Sequence, residues 1–136
     1  MNTIDIYTVL AQPRAVLLDI RRIDERIEET RGRYLTKSPT LSDMPKGGGR
    51  RRDLGDLVCD LEPLVIARRH AEESYIAAYV RAERVIDAVP GERSRECMRR
   101  YYLHGEPQTR IAARLDISRS AVCHAIRRGV AKLADD

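Results

Sequence analysis

The sequence predicts an all-α protein: a long antiparallel helical hairpin of coiled-coil type, followed by a small three-helix module containing a helix-turn-helix. Three observations lead there. Two long stretches keep an apolar heptad. A shorter C-terminal stretch holds two helical stripes that meet at a tight turn. The composition disfavours sheet, because Phe and Trp are absent, aromatic residues total 4% and charged residues 34%.

Residues 1–12 are weakly patterned, and Ile4, Ile6, Val9 and Leu10 are expected to add a first helical turn or two before Pro13, which starts or kinks the next helix. From there Val16, Ile20, Ile23, Ile27, Thr30 and Tyr34 alternate steps of four and three, the spacing of a coiled-coil seam. Residues 37–53 change character. Ser38-Pro39, Met44-Pro45 and Gly47-Gly48-Gly49 cannot continue a helix, so a flexible loop is expected. Its Arg50-Arg51-Arg52 run reads as a solvated charge run, with contact to phosphate as the other reading.

A second heptad runs through Leu54, Leu57, Leu61, Leu64, Arg68, Ala71, Tyr75, Ala78, Ala82, Val85 and Val89, with Arg68 alone charged on the seam. Pro63 is expected to kink this helix or to mark a restart just before it. At ~1.5 Å per residue the helix is on the order of 50 Å long. Its stripe must be buried, and residues 14–36 are the nearest cover. The second helix is the longer, so the surplus is left for the C-terminal module or for a second copy of the chain.

Pro90-Gly91 ends that helix, and Ser94 to Leu103 forms a third, with Cys97, Met98, Tyr101 and Tyr102 inward and Arg95, Arg99 and Arg100 outward. Gly105 closes it. Next, Ile111, Ala112 and Leu115 share one face, and Asp116-Ile117-Ser118 breaks the period. Val122, Ile126, Val130 and Leu133 then recur at helical steps, with Ser118 suited to the N-cap. Gly129 falls inside this last helix and marks a close approach, since Gly there costs ~1 kcal/mol relative to Ala. The expected organisation is a hairpin over residues 1–89, with helices at about 13–36 and 54–89, and a helix-turn-helix domain over residues 90–136.

Charge separates the two parts. Residues 1–90 carry equal numbers of basic and acidic side chains, so the whole excess of +4 lies in residues 91–136. A neutral scaffold with a basic terminal module is the distribution of a nucleic-acid binder. A major groove admits one helix, whose N-terminal half reaches the base edges. Arg119, Ser120, His124 and Arg127 would face the groove, while Thr109, Arg110, Arg114 and Arg128 would touch phosphate, fixing position and not sequence.

An enzyme is not expected. His70, His104 and His124 are scattered, no phosphate-binding glycine motif follows a strand, and no catalytic residue, metal or cofactor is expected. Cys59, Cys97 and Cys123 form no C-x-x-C pair, which fits free thiols in a reducing cytoplasm. No leader peptide and no run of ~20 apolar residues is seen, so no membrane association is expected.

The C-terminal third resembles region 4 of sigma-70-type factors. The matching residues are Tyr102-Leu103-His104-Gly105, then Ile111-Ala112-Ala113-Arg114-Leu115-Asp116-Ile117-Ser118, then Ser120, Val122, Arg128 and Lys132-Leu133. The resemblance implies that the final helix reads a −35-type promoter element and that RNA polymerase is a partner. It also implies that Cys123, His124, Arg127 and Arg128 face DNA, although a basic residue is common where this chain has Cys123. No segment resembles the sigma region that melts the −10 element, so a self-sufficient sigma factor is not expected. The whole chain resembles small phage and prophage proteins with a helical hairpin before such a module, among them ArpU-like late transcriptional regulators. The reading is a sequence-specific, double-stranded DNA-binding regulator, with homodimerisation through the hairpin or RNA polymerase enlarging its footprint. Competing readings are a phage DNA-packaging component, such as a small terminase-like subunit, and an interaction adaptor whose basic module binds no DNA.

Overall fold

The computed structural model describes residues 1–35 and 54–135. The expected loop at 37–53, with its Arg50-Arg51-Arg52 run, lies outside the described residues. Among the described residues five α-helices follow in order: α1 (Thr3–Leu35), α2 (Leu54–Asp87), α3 (Glu92–Met98), α4 (Gln108–Leu115) and α5 (Arg119–Ala134). A π-helical turn, Arg99–Leu103, continues α3. No strand occurs among the described residues.

The first helix begins ten residues before Pro13, at Thr3, where the sequence led us to expect only a turn or two. Asn2 explains the start: its side-chain oxygen accepts a hydrogen bond from the Asp5 amide at 2.8 Å, which satisfies a free N–H of the first turn. Burial explains the continuation. Ile6, Leu10, Pro13, Val16 and Ile20 form one buried stripe on α1, so Pro13 withholds one backbone donor but contributes its ring to the core. Helix α2 likewise contains Pro63 without restarting at it.

The chain divides into two compact units, Leu18–Glu72 and Met1–Leu17 with Glu73–Asp136. In the first, the helices run antiparallel. Asp24 pairs with Arg68 and Tyr34 with Asp60, so positions ascend along α1 as they descend along α2. The heptad is visible as burial: Ile23, Ile27, Thr30 and Tyr34 on α1, and Leu57, Leu61, Leu64 and Ala71 on α2, are shielded while the positions between them are mostly exposed. Leu54 departs from this expectation at 76% exposure, because in that register it extends past the end of α1. Arg68, the charged seam residue, is accounted for by its two carboxylate partners. Its Nε donates to Asp24 Oδ1 at 2.6 Å, and its Nη1 pairs with Glu72.

The second unit holds the main core. Ile6 and Leu10 of α1, Ala82 and Ile86 of α2, and Val89 join Cys97, Met98, Ile111, Ala112, Val122, Ala125, Ile126 and Val130 in one buried cluster. The surplus of the α2 stripe is thus used under the C-terminal helices. The compact units cut the chain at other points than residue 89, because Ile86 and Val89 share a core with Val122 and Val130. Gly129 sits at a close approach, as expected. A Cβ there would lie 2.8 Å from Met98 Sδ, 3.1 Å from Val89 Cγ1 and 3.3 Å from Ser94 Cβ.

Candidate nucleic-acid interface

The turn between α4 and α5 is built from three residues with separate tasks. Asp116 ends α4 with φ 56° and ψ 46°, a left-handed conformation that Asp adopts more readily than most residues. The Ile117 amide donates to the Ala112 carbonyl at 3.0 Å and closes the helix end. Ser118 is extended, and its Oγ accepts from the Ala121 amide at 3.1 Å, the N-cap expected from the sequence. Helix α4 is started by Pro107, whose carbonyl accepts from the amides of Arg110 and Ile111. Ile111 and Ala112 point inward, and Thr109, Arg110 and Arg114 are exposed.

Helix α5 is two-sided. Val122, Ala125, Ile126, Gly129 and Val130 are buried. Arg119, Ser120, His124, Arg127 and Arg128 are exposed, as is Lys132, while Cys123 is half-buried at the edge between the faces. At ~100° per residue, Ser120, His124 and Arg127 share one outward strip, flanked by Arg128. The nine residues expected to contact DNA therefore lie on α4 and α5 with eight of them open to solvent. Cys123 is the one that is partly covered.

Ion pairing divides the cations of this module. Arg99 pairs with Asp87 at 3.0 Å, Arg100 with Glu96 at 2.6 Å, and Arg114 with Glu106 at 3.4 Å. Arg100 also approaches Glu106 at 3.6 Å. The hydrogen bond to Glu96 is the main reason the Arg100 pKa is raised. Among the described residues Arg110, Arg119, Arg127, Arg128 and Lys132 have no acidic partner within 4 Å. Acidic side chains thus pair Arg99, Arg100 and Arg114 and leave the exposed cations of α5 unpaired among the described residues. Arg114 is accordingly less free than the sequence suggested.

Glu106 was not singled out from the sequence. Its side chain is 13% exposed, between Arg100 and Arg114, and its amide donates to the Arg100 carbonyl at 3.0 Å. A glutamate beside Pro107 reads as a loop residue, and only the folded π turn brings it to both arginines. Lys132, one of the residues that carry the resemblance, also stands exposed on α5.

Burial pushes the Cys97 thiol above its usual range and the Tyr102 hydroxyl up to about 12. The three cysteines are free. Among the described residues no three His, Cys, Asp or Glu side chains gather as a metal site, and no helix is long and apolar enough to cross a membrane.

Residues 91–135 match the family model described as Sigma-70, region 4. This segment is a sigma-70 region 4-like helix-turn-helix. The match covers α3, the π turn, α4 and α5, and it implies that the region 4-like module binds DNA. No curated protein and no solved structure matches the chain.

Proposed function

We propose that the protein is a sequence-specific, double-stranded DNA-binding transcriptional regulator of phage or prophage type, acting through α5 in the major groove. The observation that carries this reading is the contrast between cations. Arg99, Arg100 and Arg114 are ion-paired, whereas among the described residues Arg119, Arg127, Arg128 and Lys132 on the open face of α5 are not. Unpaired arginines on an exposed helix face are what phosphates and guanine edges require. The inward stripe, Val122, Ile126 and Val130, fixes the helix so that this face stays outward.

In this reading Arg119, Ser120, His124 and Arg127 meet base edges. Arg110, Arg128 and Thr109 hold phosphate, and Arg114 does so at the cost of sharing itself with Glu106. One module has a small footprint. RNA polymerase, the partner the family resemblance suggests, or a second copy of the chain enlarges it. The reading is of a binding protein that uses no cofactor and performs no catalysis, in the cytoplasm.

Genome-wide mapping of bound sites, paired with transcript levels after deletion, tests the proposal. Binding upstream of a few genes whose transcripts change is the expected result. Binding only at a packaging site with unchanged transcripts would contradict the transcriptional role, and absence of duplex binding would leave an interaction adaptor.

A further inference from the structure

Helix α2 carries a second stripe besides its buried seam. Val58, Val65, Ile76 and Val80 are exposed by 63%, 49%, 62% and 38%. Val65 and Ile76 belong to a regular pattern: Glu62, Val65, Arg69, Glu72, Ile76 and Tyr79 follow at steps of three, four, three, four and three. The spacing is that of a coiled-coil seam, with Val65 and Ile76 as its apolar positions, both exposed among the described residues. The corresponding outward residues of α1, from Arg21 and Arg22 to Glu28 and Glu29, are charged.

We propose that this seam is a self-association surface on which two copies of α2 pair antiparallel. The sequence of the stripe is complementary to its own reverse. With Arg69 set opposite Glu72 of the second copy, the same register sets Val65 opposite Ile76 and Glu62 opposite Tyr79. Each contact occurs twice about the twofold axis, as an isologous interface requires. The layers become an apolar pair on either side of a central charge-complementary pair, with a carboxylate facing a phenol hydroxyl at each end. A parallel pairing sets Glu62, Arg69 and Glu72 against themselves, which like-charge repulsion disfavours. Arg69 is available for the contact, since it has no acidic partner within 4 Å among the described residues. Glu72, already paired with Arg68, has acceptor capacity left on its second oxygen. The proposal concerns α2 alone and does not depend on what α5 binds.

Sedimentation equilibrium of the full chain without DNA tests it. The wild type is expected at twice the 15.5 kDa chain mass. Ile76→Asp, at a position already exposed, should raise the dimer dissociation constant at least about tenfold while far-UV circular dichroism stays that of the wild type. Arg69→Glu and Glu72→Arg chains should each be monomeric alone and should pair when mixed, because the mixture restores opposite charges at both central layers. A wild type that stays monomeric at roughly 100 µM, a dimer insensitive to Ile76→Asp, or a mixture that fails to pair would each overturn the proposal. Loss of DNA binding in the monomeric variants is a separate readout, so this proposal and the DNA-binding reading can fail independently.

Discussion

The sulfur of Met98 lies 2.8 Å from the point where a Cβ on Gly129 would stand, so a side chain there forces Met98 to shift. Two effects of Gly129→Ala oppose each other. Ala in a helix interior is favoured by ~1 kcal/mol, while overpacking a filled core costs typically ~1–3 kcal/mol. Val89 Cγ1 at 3.1 Å and Ser94 Cβ at 3.3 Å limit how far Met98 relaxation can help. We expect a net loss of about 1 kcal/mol for Gly129→Ala, and more for Gly129→Val, read as a lowered Tm. A raised Tm for Gly129→Ala would show that the site has room.

Ser118 is held to a second prediction. Its Oγ accepts from the Ala121 amide, which satisfies a donor that α5 otherwise leaves free. Ser118→Ala should cost ~1 kcal/mol, and Ser118→Asp should restore the loss, since both hydroxyl and carboxylate cap well. Thermal melts of the three proteins decide it, and a Ser118→Ala variant as stable as the wild type would show that the cap is idle.

Tyr102 gives the pH dependence. Burial favours its neutral form and pushes its pKa up to about 12 from the ordinary 10. A group raised on folding contributes stability that is fully present below its unfolded pKa and lost as pH rises through its folded one. Between pH 10 and 12 the unfolded chain releases the proton that the folded chain keeps, so stability falls across that window. Tyr102→Phe should flatten the fall in Tm above pH 10. The same slope in both proteins would place the titrating group elsewhere.

The Asp24–Arg68 pair makes a fourth test, of the hairpin. Both side chains are more than a third exposed, so solvent screens the pair, and breaking it by Asp24→Ala should lower stability only slightly. Arg68→Leu restores an apolar seam position and should leave stability unchanged or raise it. Urea unfolding of the two variants measures this. A clear loss of stability for Arg68→Leu would show that the ion pair, and not the apolar seam, sets the register.

These residues also show what the sequence made legible. The seam from Ile23 to Tyr34, the Ser118 cap and the inward stripe of α5 were readable because each is a local period or a local hydrogen bond. The start of α1 was not, since Ile6 and Leu10 show their value only against Ile86 and Met98, distant in sequence. Local cost at Pro13 was visible, and the tertiary burial that outweighs it was not. At the candidate site, the exposed positions of α5 followed from helical spacing. The division between paired and unpaired arginines did not, because Glu106 reaches Arg100 and Arg114 through the π turn. The half-burial of Cys123 likewise depends on where the α5 faces meet their neighbours.

In the proposed function the cationic face of α5 enters duplex DNA. The most direct measurement is binding of the wild type, Arg127→Ala and Arg128→Ala to a site selected from random duplexes, across a salt series. Arg127→Ala should weaken the selected site by ~1–3 kcal/mol and relax its sequence preference, while Arg128→Ala should weaken all duplexes alike and reduce the salt slope by about one. Wild-type affinity and an unchanged salt slope in both variants would contradict it.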